Sequence, residues 1–202
     1  MIIIMTRHGQ TEGNAQRRYV GATDMPLSEE GLRLTRAGQQ MGDIGRVYVT
    51  PLQRTQQTAR IQYPSAELVV VDDLREMNFG IFEGRTYDEL DEDPVFQAWM
   101  VDGGMQPMQD GEGRLGFSIR VRDALARLIR EAHSRGEEKL HIVAHGGTIM
   151  ALMSLHALPE QPYNKWWIEN LQGYRVTLDP ATWQSDSKFL TTEPVDLGLK
   201  QS

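Results

Sequence analysis

Twice in this chain an apolar, strand-like run ends on a histidine followed by glycine, and that repetition restricts the fold more than any other feature. The first run, Ile2-Ile3-Ile4-Met5-Thr6, delivers Arg7-His8-Gly9. The second, Leu140-His141-Ile142-Val143-Ala144, delivers His145-Gly146-Gly147 and then a helical stretch from Thr148 to Leu155. Short β-branched runs closed by glycine read as buried strands. An arginine and a histidine at the carboxyl end of a buried strand are costly to place unless a ligand uses them. In open α/β sheets that end of the strand is where ligands bind. One Arg-His-Gly alone reads equally well as an ordinary strand exit. Two strands that end alike point to a shared site.

The residue types suggest the ligand. Arg7 offers a planar fork of donors that suits phosphate. A neutral His8 offers a ring nitrogen able to attack phosphorus. Gly9 lets the backbone turn and approach an anion closely, and Thr11 and Asn14 add side-chain donors just downstream. Arg54 falls in the first turn of a helix that starts near Pro51; alone it reads as an exposed helical arginine, though an arginine there can reach an anion that also faces helix amides. Gly146, opening a helix, adds a backbone donor. Glu76 lies among Leu74, Met77, Phe79 and Phe82. By itself it reads as a surface carboxylate in a loop, but desolvation in that company raises a carboxyl pKa, as a general acid requires.

The 202 residues fit one domain, 1–202, with a full core. A net charge of -7 argues against a nucleic-acid partner and makes a local arginine cluster notable. The absence of cysteine rules out disulfides, thiolate chemistry and a cysteine metal site, and fits a reducing cytoplasm. The N-terminal apolar run is too short for a signal peptide or a membrane span, so no membrane partner is expected. No carboxylate stands at ligand spacing beside either strand-end histidine, so neither metal nor other cofactor is expected. A homodimer is left open.

Along the chain, Ser28 caps a helix whose apolar stripe is Leu34, Ala37, Met41 and Ile44. Val47 to Val49 and Leu68 to Val71 read as strands, the latter as one buried on both faces. Residues 77–113 read as a small cap insertion of short helices, broken at Gly103-Gly104 and rich in aromatic, Met and acidic residues. Arg17, Arg18 and Tyr19 read equally as a solvated loop and as a wall of the pocket. Phe117 to Ala132 is an amphipathic helix. Gly173 to Leu178 reads as a last strand, and the polar tail from Ser185 as a final edge strand or loose chain. The pattern fits an α/β fold, a three-layer α/β/α sandwich on a mostly parallel sheet.

Four ordered blocks carry a family resemblance. They are Thr6-Arg7-His8-Gly9-Gln10-Thr11 with Asn14; Thr50-Pro51-Leu52-Gln53-Arg54-Thr55 with Thr58-Ala59; Leu74-Arg75-Glu76-Met77-Asn78-Phe79-Gly80 with Glu83-Gly84; and Val143-Ala144-His145-Gly146-Gly147. The chain resembles the histidine phosphatase superfamily, which includes the cofactor-dependent phosphoglycerate mutases and the α-ribazole phosphatases. Gln10 stands where the family usually has Glu, and Thr50 where it usually has Ser.

The resemblance implies a phosphoglycerate mutase-like fold with one edge strand reversed, and metal-independent hydrolysis of a small-molecule phosphomonoester through a phosphohistidine. It implies His8 as nucleophile, Glu76 as proton donor, and His145, Arg7, Arg54 and Asn14 as holders of the phosphoryl oxygens. Glu112 corresponds to a Glu often near the family's site. The Leu74-to-Gly84 block and the Phe96-to-Trp99 segment look like the α-ribazole phosphatase branch. A mutase would use the same pocket, but mutases of this family are usually longer and carry basic residues for a substrate carboxylate. Here the cap offers only Arg85 and Arg114 against many acids, so a bulky, uncharged alcohol such as α-ribazole is expected and a second anion should be repelled. A non-catalytic phospholigand-binding module and a metal site on His8 and His145 are the other readings.

Overall fold

The computed structural model of the chain describes residues 1–198, so the last four positions of the polar tail lie outside the described residues. Four apolar runs form parallel strands: β1 (Ile2–Arg7), β2 (Arg46–Val49), β3 (Glu67–Val70) and β4 (Lys139–Ala144). Parallel pairing needs crossovers, and helices supply them: α1 (Glu12–Ala15), α2 (Glu29–Ala37) and α3 (Gln53–Gln62), then α4 (Tyr87–Leu90), α5 (Pro94–Val101) and α6 (Arg114–Ser134). After β4 come α7 (Gly146–His156), β5 (Gln172–Thr177), α8 (Trp183–Asp186) and β6 (Thr191–Asp196). The sheet order is β3-β2-β4-β1-β5-β6. It is a mostly parallel α/β architecture, and among the described residues no helix is long and apolar enough to cross a membrane.

The reversed strand is β5, which runs antiparallel to β1 and is followed outward by antiparallel β6. It is therefore next to the edge rather than at it, and the tail expected to be either strand or loose chain supplies the edge strand. At the other edge β3 pairs only with β2, so Val70 is 53% exposed instead of buried on both faces.

The two sheet faces carry separate cores, as alternation of side chains along a strand dictates. Ile3 and Met5 of β1 and Leu140, Ile142 and Ala144 of β4 join Phe117, Val121, Ala124 and Leu128 of α6 on one face. Val47, Val49 and Val143 meet Ala59 and Tyr63 on the other. One expected stripe is misplaced. Helix α2 starts after Ser28, whose Oγ accepts the Gly31 N–H, but it ends at Ala37, and its buried residues are Gly31 and Thr35. Leu34 is 38% exposed. The small face wins because a Cβ at Gly31 would lie 2.0 Å from the Gln10 carbonyl oxygen. Met41 and Ile44 reach the second core from beyond the helix.

The 77–113 segment builds a third cluster, Phe82, Leu90, Phe96 and Met108, with Tyr19, Phe79 and Trp99 packed against it. Gly103 and Gly104 both take positive φ there, +67° and +71°, which turns the chain from α5 toward α6.

Candidate active site

Strands β1 and β4 are adjacent and in register, with Arg7 opposite Ala144. The next residues, His8 and His145, therefore leave the sheet side by side, their rings edge to face with centroids 5.2 Å apart. The His8 Nδ1 lies 2.7 Å from the Gly9 carbonyl oxygen. A carbonyl only accepts, so the proton sits on Nδ1 and Nε2 keeps its lone pair. Burial holds the His8 imidazole well below its usual range, and the Arg54 and Arg7 guanidiniums push the same way.

His145 caps α7 and is fully buried. Its Nδ1 accepts from Arg54 Nε at 3.3 Å, which puts its proton on Nε2, 3.0 Å from the Thr50 hydroxyl. Thr50 thus holds the His145 ring through its hydroxyl, a group that serine also carries. Burial, then Arg54, keeps His145 neutral as well. Arg54 is wholly buried in the first turn of α3 and also donates to the Thr23 and Gly21 carbonyls, both at 2.7 Å. Glu83 organises that loop. Its carboxylate accepts the N–H groups of Gly21, Ala22 and Thr23 and the Thr23 hydroxyl.

Glu76 is gripped by two amides. Its Oε2 accepts the Gly147 N–H at 2.8 Å and its Oε1 the Met77 N–H at 2.9 Å. A Cβ on Gly147 would lie 2.3 Å from Glu76 Oε1, so this approach requires glycine. Burial raises the Glu76 pKa, opposed by the two amides and by Arg54 and Arg7. The amide on Glu76 belongs to Gly147. Gly146, whose amide is expected to serve the phosphate instead, lines the cavity beside Arg7.

A cavity of about 760 Å³ opens over these groups, lined by Arg7, Asn14, Glu76 and Gly146 among the expected residues and by Arg17, Arg18 and Tyr19 of the expected wall. Its size is right for a small molecule. The two histidines and Arg54 sit buried beneath that lining. Asn14 accepts the Thr11 N–H and the Asn170 side-chain amide on Oδ1, which leaves its own Nδ2 as a donor for a ligand. Thr11 does not reach the cavity. It is fully buried, and its Oγ1 caps α1 by accepting the Asn14 N–H. A hydroxyl preceding a helical turn is drawn to that cap. Glu112 is likewise turned away, paired with Arg120 at 2.7 Å while accepting the Asn78 N–H.

Several wall residues escape sequence reading. Ile168 O accepts from Arg7 at 2.9 Å, Trp167 stacks on its guanidinium at 5.4 Å, and Asn170 Nδ2 donates to the His8 carbonyl at 2.9 Å. Tyr163, Glu169 and Arg114 complete that side. From the cap, the lining takes Met77, Phe79, Tyr87, Trp99, Gly103 and Gly104 and none of its acids. Any repulsion of a second anion by cap carboxylates therefore acts from outside the lining. Asp93 and Glu89 pair with Arg85 and Arg18, and Asp88, Asp91, Glu92, Asp102 and Asp110 are exposed.

Residues 3–190 match the family model described as the histidine phosphatase superfamily, branch 1. A relative from Enterobacter sp. (strain 638), described as "Probable phosphoglycerate mutase GpmB", is 31% identical over 191 residues, covering 90% of this chain and 86% of its own length. Among solved structures, the α-ribazole phosphatase from Shigella flexneri aligns with a TM-score of 0.74 at 25% identity, covering 89% of this chain and 91% of that one. The phosphoglycerate mutase from Bacillus anthracis str. Sterne aligns with a TM-score of 0.75 at 26% identity, covering 98% and 93%.

Proposed function

The chain belongs to the histidine phosphatase superfamily, and on that footing we propose that it hydrolyses phosphomonoesters through a phosphohistidine on His8. The carrying observation is the His8 ring, with its proton fixed on Nδ1 by Gly9 and its Nε2 free to attack. In the first step Nε2 bonds to phosphorus, the ester P–O bond breaks, and Glu76 gives its proton to the leaving alcohol oxygen. In the second, Glu76 takes a proton from water as the water oxygen attacks phosphorus, releasing phosphate and restoring His8. Arg7, Arg54 and Asn14 hold the non-bridging oxygens, and preorganised charge of this kind carries most of such a rate enhancement. His145 joins them as a donor once the arriving dianion favours the tautomer with its proton on Nδ1 in place of the Arg54 bond, the Thr50 hydroxyl then donating to Nε2. No metal is required in this scheme, because the guanidiniums supply the positive charge.

For the alcohol, the aromatic wall of Tyr19, Phe79, Tyr87 and Trp99 supports a flat ring. α-Ribazole 5′-phosphate is one such ester, and the likeness to the Shigella flexneri protein supports it. A mutase-like transfer is the second reading, favoured by the GpmB relatives. A small-molecule substrate and a cytoplasmic location, which the cysteine-free composition suits, belong to the same proposal.

Rapid quench with a radiolabelled ester should trap an acid-labile, base-stable phosphoenzyme. His8→Ala should abolish the label and slow turnover by at least about 10²-fold. A labelled His8→Ala protein, or one within tenfold of the wild-type rate, removes His8 from this role. Phosphate release against transfer to a second alcohol separates hydrolase from mutase.

A further inference from the structure

Arg54 is wholly buried, yet among the described residues each bond it makes goes to a neutral group. Nε donates to His145 Nδ1, Nη1 to the Thr23 carbonyl and Nη2 to the Gly21 carbonyl. A buried guanidinium without a counter-charge is costly. Resting on the hydrolase reading, we propose that Glu83 is a positioning residue for phosphoryl transfer. It supplies that counter-charge through the Gly21–Ala22 peptide, and so sets where Arg54 presents its donors to the phosphoryl group.

The connection is a single peptide group. The Ala22 N–H donates to Glu83 Oε1 at 2.8 Å, and the carbonyl of the same peptide, on Gly21, accepts from Arg54 Nη2 at 2.7 Å. Carboxylate, peptide and guanidinium are joined in series, and each bond polarises the next. Glu83 also pins the Thr23 carbonyl, the other anchor of Arg54, because its Oε2 accepts the Thr23 hydroxyl at 2.7 Å and the Thr23 N–H at 3.3 Å. From its own segment it takes the Phe79 N–H at 3.0 Å. The fit is close: a Cβ at Gly21 would run into the Met77 carbonyl oxygen and Glu83 Oε1. The turn that holds Arg54 is thus pressed against the segment that carries Glu76.

Holding Arg54 indirectly suits the chemistry. Its bonds to His145, Thr23 and Gly21 leave one N–H on each terminal nitrogen for phosphoryl oxygens. A carboxylate bonded to Arg54 directly would compete with the phosphate for those donors. Burial weighs against the Arg54 charge, and the fields of Glu76, Glu83 and Asp24 support it. Glu76 is protonated when it serves the leaving oxygen. Asp24 is exposed and engaged by the Gln53 N–H and side-chain amide at the start of α3. Glu83 is therefore the carboxylate that supports Arg54 throughout the reaction.

A double-mutant cycle on vanadate binding, read by calorimetry, tests this without turnover. Glu83→Gln puts an amide where an acceptor oxygen met N–H groups, and should weaken vanadate binding about tenfold. In an Arg54→Met background the same change should cost less than about twofold, because effects that act through one residue do not add. Glu83→Asp, with the charge on a shorter stem, should recover part of the affinity. Thermal midpoints show which variants are folded. In protein carrying 15N-labelled histidine, Glu83→Gln should also move the His145 Nδ1 signal toward that of an unbonded ring nitrogen, as the Arg54 bond loosens. A simple brace on the loop would leave that signal in place. Full vanadate affinity in folded Glu83→Gln, or the same loss with and without Arg54, overturns the inference while the hydrolase reading stands. Where Arg54→Met does not fold, an unmoved His145 signal in Glu83→Gln overturns it instead, and where Glu83→Gln does not fold, Glu83→Asp is held to the same signal. Wild type that binds no vanadate sinks the hydrolase reading as well.

Discussion

Glu76 shows how a single residue balances opposing fields. Two amides and two arginines favour its anion, yet burial outweighs them and its pKa stands above the ordinary carboxylate value. A raised pKa keeps the acid form to higher pH, so kcat/KM should fall on the alkaline side as Glu76 loses its proton. His8 acts in the other direction. Its lowered pKa keeps Nε2 unprotonated as pH drops below the usual imidazole range, so the acid limb should lie below 6.5. Glu76→Gln should erase the alkaline limb and slow an alkyl phosphate far more than an aryl phosphate with an acidic phenol, which leaves without help. Equal losses on both esters would reduce Glu76 to a binding residue. Gly147→Ala should copy much of that loss, because its new Cβ displaces the carboxylate it now holds.

Between α7 and β5, the 167–171 segment acts as a clamp on the end of β1. Trp167 and Ile168 hold the Arg7 guanidinium, Leu171 N–H donates to the Arg7 carbonyl at 3.0 Å, and Asn170 bonds both the His8 carbonyl and Asn14 Oδ1. Because Asn14 Oδ1 is occupied, its amide is oriented with Nδ2 toward the cavity. Asn170 is then a positioning residue. Asn170→Asp, unable to donate, should weaken vanadate and phosphate binding about tenfold. Thermal stability should change much less, and Asn170→Gln should recover part of the binding. A stability loss with unchanged anion affinity would make its role structural. Nothing in the spacing of Trp167-Ile168-Glu169-Asn170 announces this, because the clamp acts through backbone carbonyls and a long-range amide pair. By contrast, the His8 and His145 placements were legible, since each closes an apolar run whose period and β-branching define the strand. Thr11 and Glu112 misled for one reason: local polar partners, a helix cap and Arg120, satisfied them before any ligand could. The stripe on α2 misled because close backbone contact at Gly31 overrode apolar periodicity.

At the scale of the whole molecule, four histidines are buried: His8, His141, His145 and His156, none more than 4% exposed. All four have lowered pKa values, chiefly through burial, and for His141 and His156 the value is about 4. The unfolded chain takes up protons as pH falls through about 6.5, while His141 and His156 in the folded chain resist until about 4. The stability linked to these two is complete above 6.5 and is lost as pH drops toward 4, by about 2–3 kcal/mol for each across that window, and His8 and His145 act in the same direction. Glu76, with its raised value, runs the opposite way and offsets part of one such loss. His141 isolates the effect, because it lies outside the cavity lining, faces the Tyr63 ring at 5.5 Å, and has neither ring nitrogen hydrogen-bonded. Urea midpoints measured at pH 7, 5.5 and 4.5 should fall steeply in wild type. His141→Phe keeps the ring contact and removes the titration, so its midpoint should fall less over the same range, whatever its value at pH 7. An identical decline in both proteins would mean that His141 is protonated in the native fold without penalty, and that acid lability arises at the other three buried histidines.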